Sequence, residues 1–575
     1  MAFPIAAAAI AALDTSALPS GTALIDRLRR GDSAHVVNFV EIFGRARGGS
    51  GSPRVKAIGA LPLAALSEEI PGSGAAQSLF LADRFWCGSP HDTRRPNQRA
   101  RATLLSAGDH EIKGPLYPEE ARRAATTIAS ADILDHDGFL AEFLETQAID
   151  GGRAVFSYGE EGGDSGEHIV YFEALVKSTA RDGPVVTVSF DAAPNLLDAP
   201  AQSVKYTGAG GEGGDARLKD RYTPLIFGPF YNAEPLREEN EILSFRTNLI
   251  DIDGYDAIKD RGVPLAWDGR QFGDYSTYRN AVAAAPPAPG TYSLGPESRF
   301  ALGDEPIGVL TCDGRGSKLF GVYEATTRAI LRFILAPQPA LNVVFDESTF
   351  GFLPDDEISL YLDGSEAVTK AEVANALLAP YLAWLDVDAR GRIAVARAGD
   401  PDAGTPADTV MTADIFDGWR LTALDNPIRS AQEVTWGRNW RPMAPDELAD
   451  PAEQPLLPVA EWNRLQREEE IAQGGDASVL IPHPSAKPGP RIRGYFRLEQ
   501  PAKTSADEIF ALFGKDLAIA EIPVLLWRAH GLRRGARIAV SHPEITAGKV
   551  KNMTLIGTKP SPATGRIVLV GAMSV

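Results

Sequence analysis

The stretch Asp182-Gly183-Pro184-Val185-Val186-Thr187-Val188-Ser189-Phe190 decides the fold class. Val186, Val188 and Phe190 recur at every second position, which places them on one face of a strand, because successive strand side chains point to opposite faces. Asp182 and Gly183 both tolerate positive φ, so the pair predicts a turn before that strand. Outward from it, 36–43, 153–158 and 169–176 have the same strand character. Together they predict an antiparallel sandwich or barrel. One helix is expected near 118–131, opened by Pro118, Glu119 and Glu120, residue types that favour a helix start.

Beyond Arg221 the pattern mixes short strands with helices. In 322–335, Val322, Ala325, Ala329, Ile330 and Phe333 stand at helical spacing. Thr369 and Glu372 form a capping-box pattern ahead of Val373, Leu377, Leu378 and Tyr381, which predicts a helix ending before a turn and strand at 386–395. Asp388, Arg390 and Gly391 mark that turn. Ser505 and Glu508 repeat the capping pattern, and their short helix should stop at Gly514. Residues 538–575 return to strands with Gly and Pro turns.

Breaker clusters at 48–53, 208–214, 283–290, 399–408, 442–458 and 482–490 divide the chain. The organisation expected is a β-rich region at 1–207, a Gly-rich linker at 208–222, an α+β region at 223–398, a Pro-rich segment with strand and helix at 399–490, and a β-rich region at 491–575. No fixed-period repeat argues for a solenoid or propeller. The fold class is therefore mainly β (α+β) and multi-domain, with antiparallel β-sandwich or β-barrel domains and a few helices.

A chain of 575 residues exceeds what one core sustains, so roughly three to five domains follow. A formal charge of -19 repels phosphates and argues against stable nucleic-acid binding. The same charge suits a lumen through which a polyanion slides. Cys87 and Cys312 are the whole cysteine content, which excludes a disulfide framework and a four-cysteine cluster carried by one chain. Residues 1–13 are apolar and Ala-rich, but they lack a basic flank and are too short to span a bilayer; no other stretch reaches the roughly 18 to 20 apolar residues that insertion requires.

Catalytic signatures are absent. The Gly-rich 207–215 lacks the Lys and Ser/Thr of a P-loop, and its Glu212 and Asp215 would repel phosphate. Cys87, His91 and His110 match no zinc spacing. Neither a G-x-S-x-G elbow nor an H-E-x-x-H helix occurs. Asp355-Asp356, Asp251-Asp253 and Asp135-Asp137 are pairs that glycoside hydrolysis could use, but with 76 acidic residues surface loops explain them more cheaply. Asp251, Asp253, Gly254 and Asp256 loosely resemble a calcium loop without the twelve-residue EF-hand pattern. No catalytic residue, cofactor or metal is expected.

From Pro224, the order Leu225-Ile226-Phe227-Gly228, Leu249-Ile250-Asp251, Tyr255-Asp256-Ala257-Ile258, Arg261-Gly262-Val263-Pro264-Leu265, Asp274-Tyr275, Gly290-Thr291-Tyr292, Phe300-Ala301-Leu302-Gly303 and Gly308-Val309-Leu310-Thr311-Cys312-Asp313 resembles tail proteins of long-tailed phages. The helix and hairpin through Ile393, the run Val434-Thr435-Trp436-Gly437-Arg438-Asn439-Trp440, and the closing Arg537-Ile538, His542-Pro543 and Thr564-Gly565-Arg566-Ile567-Val568-Leu569 are similar to elements of their hub proteins. The resemblance covers 224–575, and more weakly the N-terminal region, which looks like a distal-tail domain.

That resemblance implies a structural tail-tip or baseplate protein of phages or gene-transfer particles, not an enzyme. It implies a trimeric or hexameric ring that joins the tail tube to hub, fibre or receptor-binding parts. DNA or a tape-measure protein would pass through it transiently, and the particle would be assembled in the host cytoplasm without membrane insertion. Some relatives carry a cysteine-ligated iron-sulfur cluster or work beside a peptidase; two cysteines and no peptidase signature leave this chain with neither. Trp436, Trp440 and Trp462, around the Pro-rich 442–458 arm, are candidate subunit contacts if the arm reaches a neighbour. Otherwise they are core and the arm is a surface loop. The rival functions are a tail-associated glycosidase or depolymerase, and a carbohydrate-binding β-sandwich protein.

Overall fold

The computed structural model describes residues 36–46, 78–128, 130–191, 197–319, 321–336, 345–387, 392–424, 428–452, 454–529, 531–561 and 564–575. The apolar 1–13, the 48–53 breakers and the turn residues Asp388, Arg390 and Gly391 lie outside them. The protein is mainly β and multi-domain. Among the described residues no helix is long and apolar enough to cross a membrane.

The alternation read from 182–190 is realised in a seven-stranded sheet that includes Val36–Phe43, Ser78–Ala82, Arg153–Glu160, Ile169–Asp182 and Val185–Asp191. Val185–Asp191 returns antiparallel on Ile169–Asp182, with Asp182 opposite Val185 across the turn. Val186, Val188 and Phe190 share a buried face with Val40, Ile42, Phe156 and Phe172, closed over by Phe139 and Leu140 of helix Phe139–Thr146. The opposite face buries Val37 and Phe39 with Phe80 and Trp86. Burial on both faces explains why Val36–Phe43 reads as a nearly continuous apolar run.

An eight-stranded sheet joins the two ends of the chain. Its long strands, Leu517–Leu525, Val550–Ser561 and Arg566–Ser574, are antiparallel, with Arg566–Ser574 between the other two. Strand Arg537–Ser541 covers one part of the free side of Val550–Ser561. Farther along that same side, strand His110–Lys113 pairs through Ile112 with Thr558 and through Lys113 with Gly557. N-terminal residues thereby complete a C-terminal sheet.

Strands between Pro229 and Tyr323 build a sandwich of two five-stranded sheets. Phe230, Ile258, Leu310 and Cys312 from one sheet meet Phe245, Tyr292, Phe300 and Leu302 from the other. Between this sandwich and the eight-stranded sheet lies the largest core. Helices Thr327–Leu335, Lys370–Leu378 and Glu499–Phe513 pack there on strand Ala431–Trp436 and its partners. The capping box at Thr369 and Glu372 forms in both directions, and the helix it opens ends before strand Ala383–Val387.

Three helix expectations need correction. Residues 118–131 are not helical: the Glu120 carboxylate accepts from the amides of Leu116 (2.7 Å) and Tyr117 (3.0 Å), while the Arg122 guanidinium donates to the carbonyls of Tyr117 and Glu120. Those side chains take the backbone groups a first turn would use, and the chain runs on into strands Ala125–Ile128 and Ala131–Leu134. The helix expected from Val322 begins at Thr327, because Val322–Tyr323 pairs with Lys318 and Leu319 and Thr326 supplies the cap. Ser505 caps nothing: it lies buried inside helix Glu499–Phe513, its hydroxyl donating to the Pro380 carbonyl, although the helix does end at Gly514.

After the His110–Lys113 strand, Gly114 donates to the Ile556 carbonyl (2.7 Å), and its Cα lies so close to the Trp384 indole that a Cβ would overlap the ring. Gly114→Ala should therefore destabilise the protein by about 1–3 kcal/mol, the usual cost of overpacking. Gly183→Ala, at φ +57° with open space around it, should cost about 1 kcal/mol or less. Urea-unfolding midpoints of the two variants check the contrast.

Candidate functional site

The Pro-rich arm read as a possible bridge to a neighbour folds back on its own chain. Met443, Leu448, Leu457 and Leu465 form a small core under Trp462, Tyr231, Val263 and Val309. Arg261 at the tip of the sandwich holds the arm twice, donating from its guanidinium to the Leu448 carbonyl (2.8 Å) and accepting from the Ala449 amide (3.0 Å). Gly262, at φ +82°, lets the arm approach: a Cβ there would sit 2.9 Å from Leu465 and 3.1 Å from Leu448.

A charge clamp lies beside this core. The Lys259 ammonium, 5% exposed, reaches Asp313 at 2.5 Å within the sandwich and Glu461 at 2.9 Å on helix Val459–Leu465. The Tyr231 hydroxyl also donates to Glu461 (2.9 Å), and the Arg464 guanidinium lies 3.7 Å over the Tyr231 ring. Burial pushes the Asp313 carboxyl above its ordinary value despite the ammonium beside it. At Glu461 burial acts in the same direction, but the charge and hydrogen bonds of Lys259 and Tyr231 outweigh it and hold the carboxyl below its ordinary value.

The three tryptophans expected at subunit contacts all pack within the chain. Trp440 donates from Nε1 to the Ser359 hydroxyl (2.9 Å), meets Tyr361 edge-on at 5.9 Å and stacks on Tyr495 at 6.1 Å, which ties the sandwich to the central core. Trp436 is half-buried on the central core, and its Nε1 finds no partner among the described residues. Trp462 covers the arm.

A second charge network, buried at Glu238, Arg246 and Arg299, was invisible in the sequence. Glu238, with no exposed surface, accepts from Arg299 (2.6 and 3.1 Å) and faces Arg246 at 3.4 Å; Glu297 joins both arginines at 2.9 and 2.7 Å. Burial alone would lower the Arg299 guanidinium's affinity for its proton, but its bonds to Glu238 and Glu297 reverse the sign. The Gly-rich segment folds over this network. Its Asp215 amide donates to the Glu238 carbonyl (3.0 Å), and Gly214, at φ +70°, leaves room for the buried Tyr206 ring. No alternation or motif could have flagged the network, since Glu238 and Arg299 are far apart in the chain.

The other candidate groups are dispersed. Cys87 sits in the short ladder Trp86–Cys87 with Arg99–Ala100, His91 lies exposed in a loop, and His110 is buried between Phe156 and Phe172. Cys312 lies in the sandwich core, where burial pushes its thiol up; neither cysteine is bridged. Asp135 and Asp137 pair with Arg181 and Arg101. Asp253 pairs with Arg315 and Lys318, and Asp355 with Arg328. Asp356 is raised by burial and by Asp355. Among the described residues no three His, Cys, Asp or Glu converge as a metal site.

No family model matches the chain, and no curated protein does. Among solved structures it is similar to the 43 kDa tail protein of prophage MuSo2 from Shewanella oneidensis, at 12% identity and TM-score 0.36 over 83% of this chain and 95% of that one. It is also similar to a tail protein from Neisseria meningitidis MC58, at 10% identity and TM-score 0.33 over 83% and 94%. A third is the prophage tail protein gp18 from Listeria monocytogenes EGD-e, at 8% identity and TM-score 0.33 over 83% and 91%.

The internal network gives a sharp expectation. Glu238→Ala leaves two buried guanidinium groups short of a counter-charge and should cost about 3–5 kcal/mol. Glu305→Ala, which removes the exposed partner of Arg237, should cost about 0–1 kcal/mol. Denaturant titration of both variants tests the difference.

Proposed function

We propose that this protein is a structural, non-catalytic part of a phage-type tail tip or baseplate, assembled as a trimeric or hexameric ring between the tail tube and the hub, fibre or receptor-binding parts. The ordered run of tail-protein-like segments from Pro224 to Val575 is the origin of this reading. The observation that carries it is how the units are joined. An N-terminal hairpin completes the C-terminal sheet, and the sandwich is locked to the arm by the Lys259 clamp and to the central core by Trp440. Units welded in this way suit a part that transmits position and load between neighbours, and give little scope for the closing motions many enzymes use. Of the acids that could serve catalysis, Asp135, Asp137, Asp253 and Asp355 are instead engaged as ion-pair partners at separate places.

A ring subunit needs lateral contacts. Strand Arg420–Ala423, exposed at all four residues and at the sheet's edge among the described residues, is one surface available for them. Transient passage of DNA or a tape-measure protein accords with the charge of -19, which disfavours adhesion of a polyanion.

Light scattering of the purified protein should give three or six times the 61.5 kDa chain mass, and labelled particles should show the protein at the tail tip by electron microscopy. A persistent monomer that hydrolyses capsule or cell-wall polysaccharide, with activity lost in Asp356→Asn, would overturn the reading in favour of a depolymerase.

A further inference from the structure

The seam between the N-terminal sheet and the eight-stranded sheet holds polar groups that nothing around them satisfies. His110 begins strand His110–Lys113 and is 2% exposed. Its ring stacks on Phe172 with centroids 4.6 Å apart and meets Phe156 edge-on at 4.7 Å. Neither Nδ1 nor Nε2 has a hydrogen-bond partner among the described residues, and the hydroxyls of Tyr158 and Tyr171 also lack one. The Tyr171 ring lies 6.3 Å from His110 and 6.2 Å from Tyr158, and it packs on the cores of both sheets. Buried polar atoms are almost always paired in folded proteins, so four orphans gathered at one joint need an explanation.

Charged groups that face the joint are few. On the histidine's own strand, Asp109 precedes it; Glu111 alternates to the other face and meets Lys559 of Val550–Ser561, which also holds Glu521 of Leu517–Leu525. On the neighbouring sheet, Arg153 and Glu173 pair with each other, and Asp83 acts on Tyr171. Burial is the largest influence on His110 and lowers it from 6.5 to about 4, with Asp109 opposing weakly. The hairpin itself belongs to the C-terminal body: Ile112 pairs with Thr558 and Lys113 with Gly557, the Gly114 amide donates to Ile556, and Arg122 and Ala124 share backbone hydrogen bonds with Leu385.

We infer that this seam is an acid-sensitive joint, in which protonation of His110 parts the 110–128 hairpin from the Phe156 and Phe172 face of the seven-stranded sheet and frees that sheet from the C-terminal body. The charged ring must place two N–H groups among aromatic faces, and the orphaned oxygens near it are phenolic. Opening the seam lets water solvate the cation and the phenols together. Because the docked histidine is lowered, its contribution is fully present above the undocked value near 6.5 and is lost as pH falls towards about 4. Across that window one extra proton is bound on opening, so the opening equilibrium rises about tenfold per pH unit.

His168 is the internal control. It is buried on the opposite face of the same sheet, stacked on Phe39 at 4.2 Å, and burial lowers it to about 4 as well, but it touches the N-terminal sheet and not the seam. Hydroxyl-radical footprinting of the full chain, read at Phe156, Tyr158, Tyr171 and Phe172 between about pH 7 and pH 5, follows the joint directly. The unaltered protein should show the tenfold slope at these rings. His110→Phe should abolish it, and His168→Phe should leave it intact. Should His110→Phe fail to fold, His110→Asn, neutral throughout, must also give a flat profile. Equal protection at both ends of the pH range, or a slope that survives in a folded His110 variant, overturns the inference. None of these outcomes bears on the tail-tip reading.

Discussion

The eight-stranded sheet cannot be completed by one end of the chain. Strand Val550–Ser561 offers a side longer than Arg537–Ser541 can cover, and the remainder is paired by residues 112 and 113. An uncovered stretch of ladder would leave donors and acceptors open to any passing strand, which folded proteins avoid. The hairpin that covers it drags the seven-stranded sheet into place. The buried placement of Arg122, the close approach of Gly114 to Trp384 and the course of 116–124 along Leu385 all follow from that one insertion.

The strongly negative balance of the chain is spent unevenly. Inside, arginine and lysine are matched to carboxylates at defined places: Glu238 with Arg246 and Arg299, Asp386 with Arg534, and Lys259 between Asp313 and Glu461. Buried pairs of this kind add little net stability over apolar substitutes, but removing one partner is costly. Their service here is to select one arrangement. A sandwich rotated or slipped against the arm would part the Lys259 ammonium from Glu461 and leave it Asp313 alone.

Strands with a buried face were legible in the sequence because alternation is a local signal, and Val186, Val188 and Phe190 sit as that signal requires. The capping box at Thr369 was legible for the same reason. Where a distant partner captures the backbone, local reasoning fails. Pro118, Glu119 and Glu120 are good helix-start residues, yet Glu120 spends its carboxylate on Leu116 and Tyr117, and Leu385 takes the next backbone groups. Ser505 and Glu508 match a capping box by spacing, but the helix already runs from Glu499, since its buried face extends back to Ala502. Of the tryptophans, the sequence located the aromatic anchors near the arm without saying what they anchor. The clamp and the Glu238 network join residues from separate elements and left no trace in the linear pattern.

The two joints that hold the units together differ in chemistry, and that difference orders their failure. At the seam the docked state depends on a histidine staying neutral, so its hold weakens as soon as pH drops below the ordinary imidazole range. At the clamp, Asp313 is raised and gives up its charge first, but Glu461 is held below its ordinary value by the same ammonium, so Lys259 keeps one carboxylate partner through the window in which His110 is challenged. Added salt does not reverse this order, because the Lys259 ammonium is almost wholly buried and is screened far less than a surface pair. Mild acid therefore separates the N-terminal sheet from a sandwich, arm and central core that remain one unit.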